Sequence, residues 1–200
     1  RQMCIRDSPI LAHEDAIKEF EDNGPQILNR MIGYNRDKAD GTRLALPTIS
    51  FTDKYVINLG NLVIEALYLG PAHSPGDISV WIPSKKLVIA GDMAFHERLL
   101  PIFSHTNTKE WIATWDNEFE KLNPIYVIPG HGHPTNMDQV RKYTRNYLVY
   151  LREKIGTFIE SGGELKDAYY VDQTPFSHLQ TFKELATRNA GRVYEEMEFE

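Results

Sequence analysis

Short apolar runs that end in glycine and then a metal-competent side chain narrow the folds open to this chain more than any other feature. LVIA at 87–90 is followed by Gly91 and Asp92. IYVI at 125–128 is followed by Pro129-Gly130-His131-Gly132-His133-Pro134, and LVIEALYL at 62–69 leads through Gly70, Pro71 and Ala72 to His73. Runs this short, rich in Val, Ile and Leu and bounded by Gly or Pro, read as buried strands. A polar side chain just past a strand end is held by the sheet and aimed by the loop. His73, Asp92 and His131 are therefore a candidate donor set, although His73 and Asp92 lie 19 positions apart.

The rest of the chain supplies a scaffold for such strands. HEDAIKEFEDNG predicts a helix whose first turn holds Glu14 and Asp15, where the helix dipole favours negative charge, and which stops at Gly24-Pro25. His13 reads as the residue that starts this helix. A short helical piece comes next at 27–32, then a polar loop. Residues 49–69 read as a strand meander with turns at Asp53-Lys54 and Gly60-Asn61, and residues 77–83 as the next strand. Asn107 or Thr108 caps a helix on which Trp111, Trp115, Phe119 and Leu122 form one apolar stripe for the core. A long helix is predicted over 136–160 and a last one over 178–197, with Leu179, Phe182 and Leu185 inward. The pattern is α/β (α+β): a mixed sheet with helices outside, in a single domain over residues 9–200.

Composition excludes several classes. The formal charge of −6 and the lack of a Lys/Arg cluster argue against a nucleic-acid partner, and no apolar run reaches the length of a membrane span. A small-molecule substrate is the expected partner. Cys4 is the single cysteine, so a metal here must be held by His and carboxylate. The opening RQMCIRDS resembles adapter-derived sequence at the end of an assembled metagenomic read, so residues 1–8 read as a non-native leader, with a disordered native start as the alternative.

The donor set suits hydrolysis. Asp92 can offer one oxygen to each of two cations, with His73 on one and His131 on the other. Two cations roughly 3.5–4 Å apart can generate a hydroxide near neutral pH to attack a carbonyl. Asp77 is a candidate partner for orienting a ligand. His96, Glu97 and Arg98 read either as substrate-facing residues or as a solvated charged turn. His133 is expected to point to solvent, and His105 and His178 carry no signal.

The motifs His73-Ser74-Pro75-Gly76-Asp77, Ala90-Gly91-Asp92 and Pro129-Gly130-His131-Gly132 resemble, in order and spacing, the later motifs of the metallo-β-lactamase fold. Within that superfamily AGDMAFHERLLPIF and VIPGHGHPT resemble quinoprotein relay-type zinc hydrolases, then glyoxalase II-type thioesterases. The resemblance implies a partial αββα sandwich and one or two Zn2+ ions, with Fe or Mn as alternatives. It makes His73 a ligand of the first metal, Asp92 the bridging and catalytic residue, and His131 a ligand of the second. The family's His-x-His-x-Asp-His motif is nowhere in the chain. Residues 9–16 resemble the strand and helix that come shortly after that motif in the family, so the chain is expected to be N-terminally truncated and inactive by itself. Asp92, where some β-lactamases carry Cys or Ser, resembles the enzymes that hydrolyse esters, thioesters and lactones. The expected parent is a zinc-dependent hydrolase using metal-bound hydroxide. A di-iron redox protein on the same fold and a non-catalytic fragment are the alternatives.

Overall fold

The computed structural model describes residues 8–200. The expected leader, apart from Ser8, lies outside the described residues. The chain opens with a short strand β1 (Leu11–His13) and the long helix α1 (Glu14–Asn35). Strand β2 (Ile49–Phe51) pairs in parallel with β1, so residues 49–51 leave the predicted meander for a small sheet of their own. Strands β3 (Lys54–Leu59), β4 (Leu62–Tyr68), β5 (Ile78–Ile82), β6 (Leu87–Phe95) and β7 (Tyr126–His131) form a second sheet in that order. Its first four strands are antiparallel, and β6 and β7 are parallel. The sheet is mixed, as the sequence predicts. Its helices are α2 (Thr108–Thr114), α3 (Met137–Tyr143), α4 (Arg145–Glu160), α5 (Leu165–Ala168) and α6 (Phe182–Met197).

The two faces of the larger sheet differ. Ser79, Val88, Ala90 and Val127 share one face and are buried, and the last three pack in a core cluster with Trp111, Trp115, Phe119, Tyr147 and Leu151 from the helical half. The other face carries Ile57, Ile64, Ile78, Val80, Ile89 and Tyr126 and is apolar as well, yet Ile57, Ile89 and Tyr126 are exposed. β1, β2 and α1 cover the Tyr68 end of that face. There the His13 ring stacks on Tyr68 at 3.6 Å between centroids and meets Phe51 edge-on.

His13 is the helix start that the sequence predicts: its Nδ1 accepts from the Asp15 amide at 3.2 Å. The stop at Gly24-Pro25 is not observed, because α1 continues through Pro25 to Asn35. Pro25, which is exposed, removes one backbone donor inside the helix. Gly24 is buried, and Phe20, Pro25, Leu44 and Leu46 line one groove on this side.

Three other predicted boundaries move. The strand expected to end at Ala90 runs on to Phe95, carrying Asp92 inside it. The expected helix over 136–160 breaks at Thr144, whose buried hydroxyl accepts from the Phe95 amide at 2.8 Å. Helix α6 starts at Phe182 because Thr181 sits in the left-handed region at φ 59°. The tryptophan stripe does pack inward, but only its first turns are α-helical. Trp115–Phe119 is a π turn and Glu120–Leu122 a 3-10 turn. Asn107, rather than Thr108, is the α2 cap, accepting from the Glu110 amide at 2.9 Å.

Candidate metal centre

His73 lies in the loop between β4 and β5, and several contacts fix that loop. The Asp77 carboxylate accepts from the Ser74 amide at 2.9 Å and from its hydroxyl at 2.5 Å. Asp77 therefore orders the backbone next to His73 rather than bonding an imidazole itself. Gly76 leaves room for α1, since a Cβ there would collide with the backbone of Ala16. From the helical side, the Thr114 hydroxyl donates to the Pro71 carbonyl at 2.8 Å and the Thr106 hydroxyl to the His73 carbonyl at 2.7 Å.

The His73 ring sits in an aromatic box. Phe95 stacks on it at 5.9 Å, and Phe103 and Trp111 flank it at 5.2 and 5.8 Å. Burial pushes the His73 imidazole below the usual histidine range, against the opposing pull of the Asp77 and Asp92 carboxylates. A neutral imidazole is the form that offers a metal its lone pair.

Asp92 owes its position to an irregular pairing of β6 with β7. Ile89 faces Ile128, Gly91 faces Pro129 and Phe95 faces His131, so β6 uses more residues than its partner over this span. Extra residues bulge out of the ladder and re-aim side chains, a device common beside active sites. Gly91 takes φ 58°, a conformation that glycine adopts without penalty. Gly130 lies directly against the Asp92 carboxylate, and a Cβ there would overlap Oδ1. This explains physically why glycine stands beside the donor in the Pro129-Gly130-His131 motif.

His131 ends β7. Its carbonyl accepts from the His96 amide at 3.0 Å, and its ring stacks on Phe95 at 5.2 Å and 21°. Phe95 thus stacks on both imidazoles. The Arg98 guanidinium reaches His131 Nδ1 from Nη1 at 3.0 Å, while Arg98 Nε is buried without a hydrogen-bond partner.

The three sequence-predicted donors do come together. His73 Nε2 lies 3.9 Å from Asp92 Oδ2, and His131 Nε2 lies 3.7 Å from Asp92 Oδ1. Each imidazole faces a different oxygen of one carboxylate. These separations are too long for hydrogen bonds and shorter than twice a zinc–ligand bond of about 2.0–2.2 Å. The spacing fits a cation held between each pair. Among the described residues, however, no three His, Cys, Asp or Glu side chains gather around one point. Each position therefore has two donors, fewer than a structural or catalytic zinc normally takes.

The loop after β6 divides its three charged residues. Glu97, at φ 61°, accepts from His133 Nδ1 at 2.7 Å, a bond that holds the Glu97 carboxyl below its usual range. His96 Nδ1 lies 3.0 Å from the His133 carbonyl, to which it donates. Arg98 alone turns to the donor set. His133 is exposed, as the sequence predicts, though tied to Glu97. His105 pairs with Glu19 at 3.5 Å and packs on Phe103, on which the His73 ring also lies. Sequence reasoning misses Phe95 and Thr106. Phe95 reads there as one more apolar residue, and no sequence signal couples Thr106 to a carbonyl 33 positions earlier.

The family model of the metallo-beta-lactamase superfamily matches residues 7–133. The chain belongs to that superfamily. A metallo-beta-lactamase type 2 from Bacteroides fragilis is 30% identical over 99 residues, covering 48% of this chain and 40% of the relative. An acyl-coenzyme A thioesterase from Homo sapiens is 24% identical over 117 residues, covering 56% of this chain and 42% of the relative. The chain thus spans about two fifths of the length of these superfamily relatives. Among solved structures, the inverting sec-alkylsulfatase Pisa1 from Pseudomonas sp. superposes with a TM-score of 0.67 at 17% identity, covering 94% of this chain and 36% of that one. At that identity the likeness is one of fold. The relatives named are hydrolases, and a hydrolase is the activity class to which the superfamily match points.

Proposed function

We propose that this chain carries part of the metal site of a zinc-dependent hydrolase acting on a small-molecule ester, thioester or lactone. The observation behind this reading is the pair of imidazole nitrogens facing opposite oxygens of Asp92 at 3.9 and 3.7 Å. His73 would hold one cation, His131 the other, and Asp92 would span them. One or two zinc ions suit this donor set, and iron or manganese suits it too. When bound, such ions supply a nucleophile at neutral pH and stabilise the charge that develops on a carbonyl oxygen.

The protein's own part is positional. The aromatic box buries one side of the His73 ring, and burial favours its neutral form. Gly130 lets the Asp92 carboxylate lie flat against β7. With two donors at each position, the chain alone should bind zinc weakly. A catalytic set needs further ligands of the His-x-His-x-Asp-His kind, which this sequence does not contain.

The test uses a longer protein in which such a segment precedes this chain. It should hydrolyse a generic thioester or ester with zinc, and Asp92→Ala should abolish turnover. Retained turnover in that variant would reject Asp92 as the shared residue.

A further inference from the structure

Residues 96–107 join β6 to α2 and lie outside the named strands and helices, yet Leu99, Leu100 and Ile102 are buried. Buried backbone without a ladder needs other partners for its amides and carbonyls. Here they come from the far end of the chain. The Leu99 amide donates to the Gln180 carbonyl and the Gln180 amide to the Glu97 carbonyl, both at 3.0 Å. Asn189 of α6, fully buried, takes the next stretch. Its Nδ2 donates to the Leu100 carbonyl at 2.7 Å, and its Oδ1 accepts from the Ile102 amide at 3.0 Å. One side chain thus serves a carbonyl and an amide two residues apart, and since one partner only accepts and the other only donates, its amide group has a single orientation. A buried relay backs it. Asn189 Nδ2 donates to the Tyr147 hydroxyl at 2.9 Å, that hydroxyl donates to Gln173 Oε1 at 2.8 Å, and Gln173 Nε2 donates to the Ala186 carbonyl at 2.8 Å.

The clamped backbone runs straight into the wall of the His73 ring. Phe103, the next residue, flanks that ring at 5.2 Å between centroids, and its amide donates to the Thr106 hydroxyl at 3.2 Å. The same hydroxyl donates to the His73 carbonyl at 2.7 Å. We propose that Asn189 is a positioning residue: by clamping Leu100 and Ile102 it sets where Phe103 stands against His73. Phe103 is 36% exposed, so the same clamp fixes the apolar surface that a substrate would meet beside His73. Tyr147, Gln173, Gln180 and Asn189 all lie beyond residue 133, where the match to the family model ends. The proposal concerns the place of a ring and not the binding of a metal. It is tested in the presence of a chelator, so its failure leaves the functional reading standing, and the reverse holds too.

The experiment uses the 200-residue chain at about pH 8, above the ordinary histidine range. The ring protons of His73, assigned with His73→Gln, are followed by NMR. Asn189→Leu, close in volume, removes both bonds to the loop. Tyr147→Phe cuts the relay behind Asn189 and leaves both loop bonds in place. In Asn189→Leu the His73 ring protons should shift, because the ring of Phe103 moves against them. The Ile102 amide should also exchange its hydrogen roughly tenfold faster relative to the Val193 amide in the buried part of α6, as the loss of one buried hydrogen bond implies. In Tyr147→Phe stability should fall while the His73 ring protons stay in place. Unmoved His73 protons in a folded Asn189→Leu, or shifts of equal size in Tyr147→Phe, would reduce Asn189 to a core residue and overturn the proposal. The wild type supplies an arm that needs no variant. Its Ile102 amide should be protected to the level of Val193, since the clamp opens only with α6. Exchange at Ile102 roughly a hundredfold faster than at Val193 overturns the clamp even if Asn189→Leu does not fold.

Discussion

The two imidazoles on either side of Asp92 are held in opposite ways. His73 is built in: its side chain is 11% exposed, its ring is boxed by three aromatic residues and its carbonyl is pinned by Thr106. His131 is set at the rim: its side chain is 38% exposed, and its ring is bonded to a long, adjustable side chain, an arginine. The carboxylate between them shares the intermediate exposure of His131 rather than the burial of His73. The asymmetry is one of support: the His73 ring is preorganised by packing, whereas the His131 ring is left open to solvent on one side.

The largest test removes what the two sides share. Phe95 is fully buried and stacks on both rings, so Phe95→Ala should cost about 3–5 kcal/mol of stability, read by chemical denaturation. If the folded variant kept either imidazole unchanged in its NMR shifts, Phe95 would not be the common support.

Gly130→Ala attacks the His131 side. Its new methyl must displace the Asp92 carboxylate or the Gly91 backbone, and overpacking of this kind costs about 1–3 kcal/mol. Zinc-induced shifts should weaken more at His131, which neighbours the altered residue, than at His73. Equal weakening would mean that Asp92 moves as a whole and that the two flanks are not independent.

Thr106→Val attacks the His73 side alone. It removes two hydrogen bonds, one donated to the buried His73 carbonyl and one accepted from the Phe103 amide, and should cost about 1–2 kcal/mol by thermal or urea unfolding. Its effect on zinc binding should be confined to His73.

The smallest expected effect is on pH dependence. Folding lowers the His73 pKa, chiefly through burial, so the unfolded chain takes up the extra proton first. With a chelator present, the contribution of neutral His73 is complete above the ordinary histidine value of about 6.5. It is lost as pH falls from there through the lowered folded value. His73→Phe should flatten this acid-side slope in urea titrations at stepped pH; an unchanged slope would mean that His73 does not carry it.

Local chemistry makes a good part of this legible in the sequence. The strand runs, the Gly-flanked donors and the His13 cap all derive from residue type and spacing within a few positions. Of the boundaries that move, the break at Thr144 follows a contact that only folding supplies: its hydroxyl accepts from the Phe95 amide. The strand through Asp92 reads as ending at Gly91 because a glycine in a run signals a turn as readily as a bulge.

The sequence by itself determined which side chains have the chemistry of metal donors and that His73 and His131 would stand at or just past a strand end, since periodicity and glycine placement are local properties. Only the tertiary structure decided that each imidazole would face its own oxygen of Asp92, that one would be buried and the other left at the rim, and that Arg98 would reach His131 across 33 positions of chain. Burial and long-range contact depend on atoms brought together by folding, and no spacing along the chain encodes them.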